Sequence, residues 1–286
     1  MIISRTPLRI SMLGGGSDYP EWYLEHGGAV IATTINKYVW VLLNNGHIVS
    51  SYDVPAKSGL ATSSAQTVGL LKILAELNSK DSDPEIISQI ATFIERDKLS
   101  NKIGVQDQYL CSHGGFMLLR FSEVGIRHTR IEDIDWLNPY LMLFHTHQYR
   151  KRAGDVVSVQ LDEMGEHTKA YFDLMELVEQ GLKTISAKDW GTFGRILHES
   201  WLLKRTLSSV ITTGAIDEIY NAGLEAGAIG GKLLGSGGGG AMLFLSPPNK
   251  QENIKQALSK CEYIPFKFEK EGAKIVYRDE KISYSR

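Results

Sequence analysis

The sequence predicts a mixed α/β fold in two lobes, on three observations. Segments rich in Val, Ile, Thr and Tyr dominate the first half of the chain, apolar residues at helical spacing dominate the second, and the change falls near residue 150. The 286 residues are 43% hydrophobic and 22% charged, which supplies one large core or two modest ones. Glycine-rich stretches at 14–16, 58–61 and 235–240 punctuate the elements instead of forming linkers. We therefore read 1–150 as one domain and 151–286 as a second.

Taken in order, Ile2 to Leu13 alternates as a strand, with Pro7 marking an edge or a bulge. Gly14-Gly15-Gly16 lets backbone approach a ligand closely. Asp18 follows, either in an Asx-turn or as the N-cap of a helix that starts at Pro20. Ala29 to Leu43 reads as two strands or one long bent strand, closed by the hairpin turn Asn44-Asn45-Gly46. A helix opens at Asp83-Pro84, with Ile86, Ile87, Ile90, Ala91 and Ile94 at helical spacing. Glu95 falls on or beside that inward stripe, where a carboxylate needs a cation or hydrogen-bond partners; a salt bridge and a metal ligand are equal readings.

Gly104 to Tyr109 follows, with a short polar loop as one reading of it. Asp107 stands there between two amides with no basic neighbour, as plain loop polarity or as a positioned carboxylate base. Strands are predicted at Phe116 to Phe121, Gly125 to Arg130 and Tyr140 to His145. His145 to Arg152 concentrates positive charge, which is ordinarily a solvated loop and alternatively a site for an anion. Helices follow around Leu174, Leu177, Val178 and Leu182, then around Phe193, Ile196, Leu197, Leu202 and Leu203; both read as packing. Ile216 to Ala226 and Lys250 to Ser259 complete the helices, and Ala241 to Leu245, Tyr263 to Phe268 and Ala273 to Tyr277 the strands.

Composition excludes several functions. A formal net charge of -2 gives no sign of a nucleic-acid or membrane partner. Cys111 and Cys261 make neither a metal spacing nor a disulfide framework. Met1 to Leu13 alternates instead of forming an apolar signal-peptide core, and no apolar run is long enough to span a bilayer. A cytoplasmic protein is expected.

Chemistry concentrates at Lys57 to Gln66. Ser58-Gly59-Leu60-Ala61 leads through Thr62, Ser63 and Ser64 into an apolar helical run. A helix start offers unpaired N–H groups and a positive dipole end, which suits a phosphate. Any one of the three hydroxyls is also a candidate N-cap with no ligand. Gly235, Gly237 and Gly240 satisfy the dinucleotide spacing, but a strand follows where that fingerprint requires a helix. Gly231-Lys232 is followed by Leu233, so no Walker A sequence is present. Three glycine loops, a hydroxyl run and the carboxylates Glu95 and Asp107 together make a kit for kinase chemistry.

These motifs, Thr6-Pro7-Leu8-Arg9-Ile10 with Gly14 to Tyr19, then Ser58 to Ser64, then Gly235 to Gly239, resemble the three motifs of the GHMP small-molecule kinases. Within that superfamily, Gly14 to Trp22, Gly27-Gly28-Ala29-Val30 and Gln106-Asp107-Gln108-Tyr109 look most like the D-glycero-D-manno-heptose 7-phosphate kinases. The resemblance covers nearly the whole chain. It implies a β-rich N-terminal domain, a ferredoxin-like C-terminal domain, and ATP and sugar between them.

By the same resemblance, Ser58, Gly59, Leu60, Ala61, Thr62, Ser63 and Ser64 would bind ATP, and Glu95 with Ser63 would hold Mg2+. Asp107 would act as catalytic carboxylate beside the positive charge of Arg9. Gly15, Gly16, Asp18, Gly237 and Gly238 would line the sugar site. A phosphate already on the substrate would meet Arg150, Lys151 or Arg152. The implied partners are ATP and a sugar phosphate, with no nucleic acid and no membrane, and a homodimer is allowed for. The product, a sugar 1,7-bisphosphate, would feed nucleotide-heptose synthesis for surface polysaccharide. A kinase for a galactose- or fucose-like sugar and a catalytically silent sugar sensor are the alternatives. Two departures stand out: Ala61 and Thr62 replace the usual Gly and Ser, and Ser50-Ser51-Tyr52-Asp53 runs almost directly into the loop, where relatives carry several tens of residues more. Alanine at 61 requires a negative φ.

Overall fold

The computed structural model describes residues 1–80, 82–148 and 153–279. Strands β1 (Ile2–Leu13), β2 (Gly28–Asn44), β3 (His47–Tyr52), β4 (Phe116–Ser122) and β5 (Gly125–Arg130) belong to a first sheet. A second sheet contains β6 (Leu141–His145), β7 (Gly230–Leu233), β8 (Ala241–Leu245) and β9 (Glu262–Ile264) in the order β7-β8-β6-β9. The short β10 (Phe268–Glu269) and β11 (Lys274–Arg278) return to the first sheet, on β2 and β1.

The expected division at residue 150 therefore does not coincide with the sheets. β6 precedes it yet sits in the second sheet, and β10 and β11 follow it yet close the first. The reason is edge pairing: β1 would otherwise present an unpaired backbone along Ile2 to Arg5, and β11 takes those bonds. Within the second sheet every recorded pair is antiparallel, and the strand order is that of a split βαβ, ferredoxin-like unit.

Ala29 to Leu43 forms one long bent strand. The bend has a visible cause, because the β1–β2 register slips between Pro7 and Leu8, leaving Asn36 and Lys37 of β2 without β1 partners. Pro7 sits where β1 has no bond to β11, so its missing N–H costs no ladder. Asn45 and Gly46, at φ 47° and 80°, make the tight hairpin into β3.

Helices α1 (Pro20–His26), α2 (Thr62–Leu77), α3 (Pro84–Phe93) and α4 (Gln106–His113) belong to the first lobe. The second half contributes α5 (Ala153–Asp162), α6 (Thr168–Ser186), α7 (Trp190–Thr206), α8 (Gly214–Glu225) and α9 (Gln251–Ala257). Asp83 caps α3 as expected, accepting from the Glu85 N–H at 2.7 Å. α2 lies close on β1: a Cβ at Gly69 would stand 2.8 Å from Thr6 Oγ1, and Ser4 Oγ donates to the Gly69 carbonyl. α6 packs against β1 and β2 while α7 packs against β7, so one helical layer joins both sheets.

The stretch Gln106 to Tyr109 opens the helix α4. Gln106 and Gln108 are buried, with Asp107 between them, so the polar residues that serve the site erase the apolar stripe by which a helix is recognised. Tyr263 to Phe268 is two short strands in different sheets, not one. Among the described residues, no helix is long and apolar enough to cross a membrane.

Candidate active site

A cavity of about 590 Å³ opens between the lobes, lined by the first glycine turn, the start of α2, the loop before α4, and α7, β7 and Gly235-Ser236. Its best-fixed feature is an ion pair. Arg9 is 4% exposed, and its Nε and Nη2 donate to the two carboxylate oxygens of Asp107, each at 2.7 Å. Its Nη1 donates to the Gly59 carbonyl, also at 2.7 Å. Burial alone disfavours the Arg9 charge, but the Asp107 carboxylate more than offsets this, and the guanidinium pKa is raised. β1, the loop at 58–61 and α4 thus meet at one residue.

The loop at 58–61 rests on the second lobe, backbone against backbone. Ala241 N–H donates to the Ser58 carbonyl at 2.7 Å. A Cβ at Gly59 would stand 2.5 Å from the Leu234 carbonyl oxygen, and one at Gly240 the same distance from that of Ser58. Ser58 and Leu60 are wholly buried and do not line the cavity. Gly59, Ala61, Thr62, Ser63 and Ser64 do.

Ala61 departs from expectation. Its φ is 66° and its ψ 31°, the left-handed region, which costs alanine about 1 kcal/mol more than glycine. It, and none of the three hydroxyl residues, is the N-cap of α2, and no side chain caps the helix. Thr62 Oγ1 instead accepts from the Lys57 N–H at 3.3 Å.

Glu95 lies in a short stretch of wider helix, Ile94–Lys98, that continues α3, and is 2% exposed. Ser64 Oγ donates to its Oε2 at 2.8 Å, and Gln108 Nε2 donates to the same oxygen at 2.6 Å. The hydroxyl on Glu95 is therefore that of Ser64 and not Ser63, because helical geometry turns Ser64 inward while Ser63 stays exposed at the cavity. Burial raises the Glu95 pKa, against the contacts of Thr67, Ser64 and Gln108. Its Oε1 is buried and has no hydrogen-bond partner among the described residues. That orphaned oxygen beside a hydroxyl turn fits a hard divalent cation, which prefers oxygen ligands.

Asp18 is buried, accepting from the Gly16 N–H at 3.1 Å and the Gln106 N–H at 3.4 Å. Gly104 makes room for it, since a Cβ there would stand 1.8 Å from Asp18 Oδ2. Gly15 and Gly16 line the cavity beside it. Gly237 and Gly238 do not: Gly238 N–H donates to the Ile211 carbonyl at 2.8 Å, and Gly237 packs on the backbone of Ile211. Gly235 and Ser236 take the cavity position instead, because they come straight off β7 before the loop turns away. Arg150, Lys151 and Arg152 lie outside the described residues.

Sequence reasoning missed Lys204 and Lys232, both of which line the cavity. Lys204 was hidden in the last turn of a helix read as packing, and Lys232 in the strand before the glycines. Gly231-Lys232 lacks the Ser or Thr of a Walker A sequence, and no other local pattern marks the lysine.

A bidentate arginine–carboxylate pair beside a glycine-and-hydroxyl helix start, facing a buried free carboxylate oxygen, has the parts for phosphoryl transfer. Comparison with known proteins agrees. The GHMP kinases N terminal domain family matches residues 29–115 and the GHMP kinases C terminal family matches residues 174–264. The chain belongs to the GHMP kinases, which are ATP-dependent.

Among its relatives, the D-glycero-alpha-D-manno-heptose 7-phosphate kinase of Campylobacter jejuni is 28% identical over 337 aligned positions, covering 96% of this chain and 98% of that protein. The fold is shared with a D-glycero-D-manno-heptose 1-phosphate kinase from Bacteroides thetaiotaomicron, at a TM-score of 0.79 and 23% identity over 98% of this chain and 100% of that one. It is shared too with the Lactococcus lactis galactokinase complexed with galactose, at 0.75 and 13% over 96% of this chain and 94% of that one.

Proposed function

We propose that this enzyme transfers the γ-phosphoryl group of ATP to the anomeric hydroxyl of D-glycero-D-manno-heptose 7-phosphate, giving the 1,7-bisphosphate, in the cytoplasm. The observation that carries the reading is the Arg9–Asp107 pair, which fixes a carboxylate within the cavity that the phosphate loop also lines. The choice of sugar is supported by the similarity to the Campylobacter jejuni enzyme along almost the whole of both chains.

Asp107 takes or orients the proton of the attacking hydroxyl, and Arg9 sets the carboxylate's position through two bonds while spanning to the loop through Gly59. The N–H groups at the start of α2 donate to phosphate oxygens, and the helix dipole favours their charge. Glu95, with a hydroxyl of the Thr62–Ser64 turn, holds Mg2+, which when bound neutralises phosphate charge. Gly15, Gly16 and Asp18 line the sugar end, and Gly235 and Ser236 line the cavity from the second lobe.

ADP release measured with ATP, Mg2+ and a panel of phosphorylated and free sugars tests the reading. Turnover is expected on the heptose 7-phosphate. Activity on unphosphorylated sugars alone would place the enzyme with the galactose- or fucose-type kinases, and binding of ATP and sugar without ADP release would make it a sensor.

A further inference from the structure

We propose that Lys204 and Lys232, with Ser11 and the backbone of Gly15, form the subsite for the phosphate that the sugar already carries; this rests on the sugar-phosphate reading above. Three donor groups converge on Gly15. A Cβ added there would meet Ser11 Oγ at 3.1 Å, Lys204 Nζ at 3.7 Å and Gln106 Nε2 at 3.9 Å. A hydroxyl, an ammonium and an amide N–H around a position left open by glycine suit a ligand group that only accepts.

The two lysines are held, not floating. Lys204 is 6% exposed and donates to the Gly235 carbonyl at 2.9 Å; Lys232 is 1% exposed and donates to the Met12 carbonyl at 3.0 Å. Among the described residues Lys232 makes no ion pair. Burial pushes its ammonium well below the ordinary lysine range, and the charges of Lys204 and Arg9 push it further, against the opposing charge of Asp18.

Placement separates this anion from the one at the phosphate loop. Arg9 and Ser11 lie on the same face of β1, two residues and so about 6.6 Å apart. Arg9 marks the reacting end through Asp107, while Ser11 leads to Gly15 and Lys204. Ser11 Oγ is buried and has no hydrogen-bond partner among the described residues. A sugar whose anomeric hydroxyl meets Asp107 directs its far carbon along β1 toward this cluster. Ser64, on α2, and Glu95, in the stretch that continues α3, belong to the nucleotide side.

The test is a specificity ratio. kcat/KM is measured at saturating ATP and Mg2+ for D-glycero-D-manno-heptose 7-phosphate and for the same heptose without its phosphate. The wild-type enzyme is expected to prefer the phosphorylated sugar, and Lys204→Met to reduce that preference roughly tenfold or more, mainly through KM. Lys204→Arg is expected to restore most of it. An unchanged ratio in Lys204→Met, with both substrates equally affected, overturns the subsite. A wild-type enzyme that ignores the phosphorylated sugar overturns the function proposed above instead, so the two failures are distinct. If Lys204→Met does not fold, Lys204→Gln gives the same reading, since it keeps a donor without the charge.

Discussion

Arg9 grips Asp107 with both arms, Nε on Oδ1 and Nη2 on Oδ2, at 2.7 Å each. Such a pair fixes the carboxylate's plane as well as its distance. Asp107→Asn keeps the shape but loses one acceptor and the proton-accepting group. Turnover is expected to fall about 10²–10⁴-fold, with affinity for a non-hydrolysable ATP analogue changed little. Steady-state ADP release and calorimetric titration check the two halves. Wild-type turnover in this variant would remove Asp107 as the proton acceptor.

The contact between the lobes depends on two absent side chains. Gly59, at φ 79°, and Gly240, at φ 113°, each face a carbonyl oxygen 2.5 Å from where a Cβ would stand. Gly59→Ala and Gly240→Ala are each expected to lower stability by about 2–4 kcal/mol, from left-handed strain plus overpacking. Urea unfolding measures this, with Gly214→Ala, whose Cβ would meet nothing within 4 Å, as the control.

Ala61 stores strain in the turn that opens α2. With φ at 66°, Ala61→Gly removes a Cβ penalty, although it also frees the unfolded chain. A net gain of up to about 1 kcal/mol is expected, read as a higher urea midpoint at unchanged slope. A loss of stability would show that the alanine's contacts within the buried core outweigh its backbone strain.

Legibility in the sequence followed whether a residue's pattern was local. The long β1 and β2, the Asn45-Gly46 hairpin and the Asp83 cap rest on alternation or on turn chemistry within a few residues, and the structure repeats them. Glu95 and Asp107 stood out as carboxylates without local partners and Arg9 through the resemblance alone, and all three line the cavity. α4 was not legible, because Asp107 bonds Arg9 of β1, Gln108 bonds Glu95 beyond α3 and the Gln106 N–H bonds Asp18, so polar residues interrupt the apolar stripe. Lys204 and Lys232 were missed because only tertiary packing brings a helix end and a strand to the same cavity wall. The exchange of β10 and β11 into the first sheet is likewise a long-range pairing that no window along the chain contains.

Asp18 carries a testable pH signature. Burial raises its pKa first, and the nearby Asp107 charge raises it further, against the N–H groups of Gly16 and Gln106. A carboxyl with a raised folded pKa keeps its proton in the native state where the unfolded chain has lost it. Its stabilising contribution is full below the ordinary carboxylate range and is lost as pH rises through the folded value. The stability advantage of wild type over Asp18→Asn is therefore expected to be greatest near about pH 4 and to shrink toward about pH 7. Urea midpoints of both proteins across that range supply the difference. Because Asp107 is the second cause, repeating the pair in an Asp107→Asn background should flatten the slope. A difference that grows with pH would mean that the Gly16 and Gln106 bonds outweigh burial, and that Asp18 faces the sugar as a firmly charged acceptor.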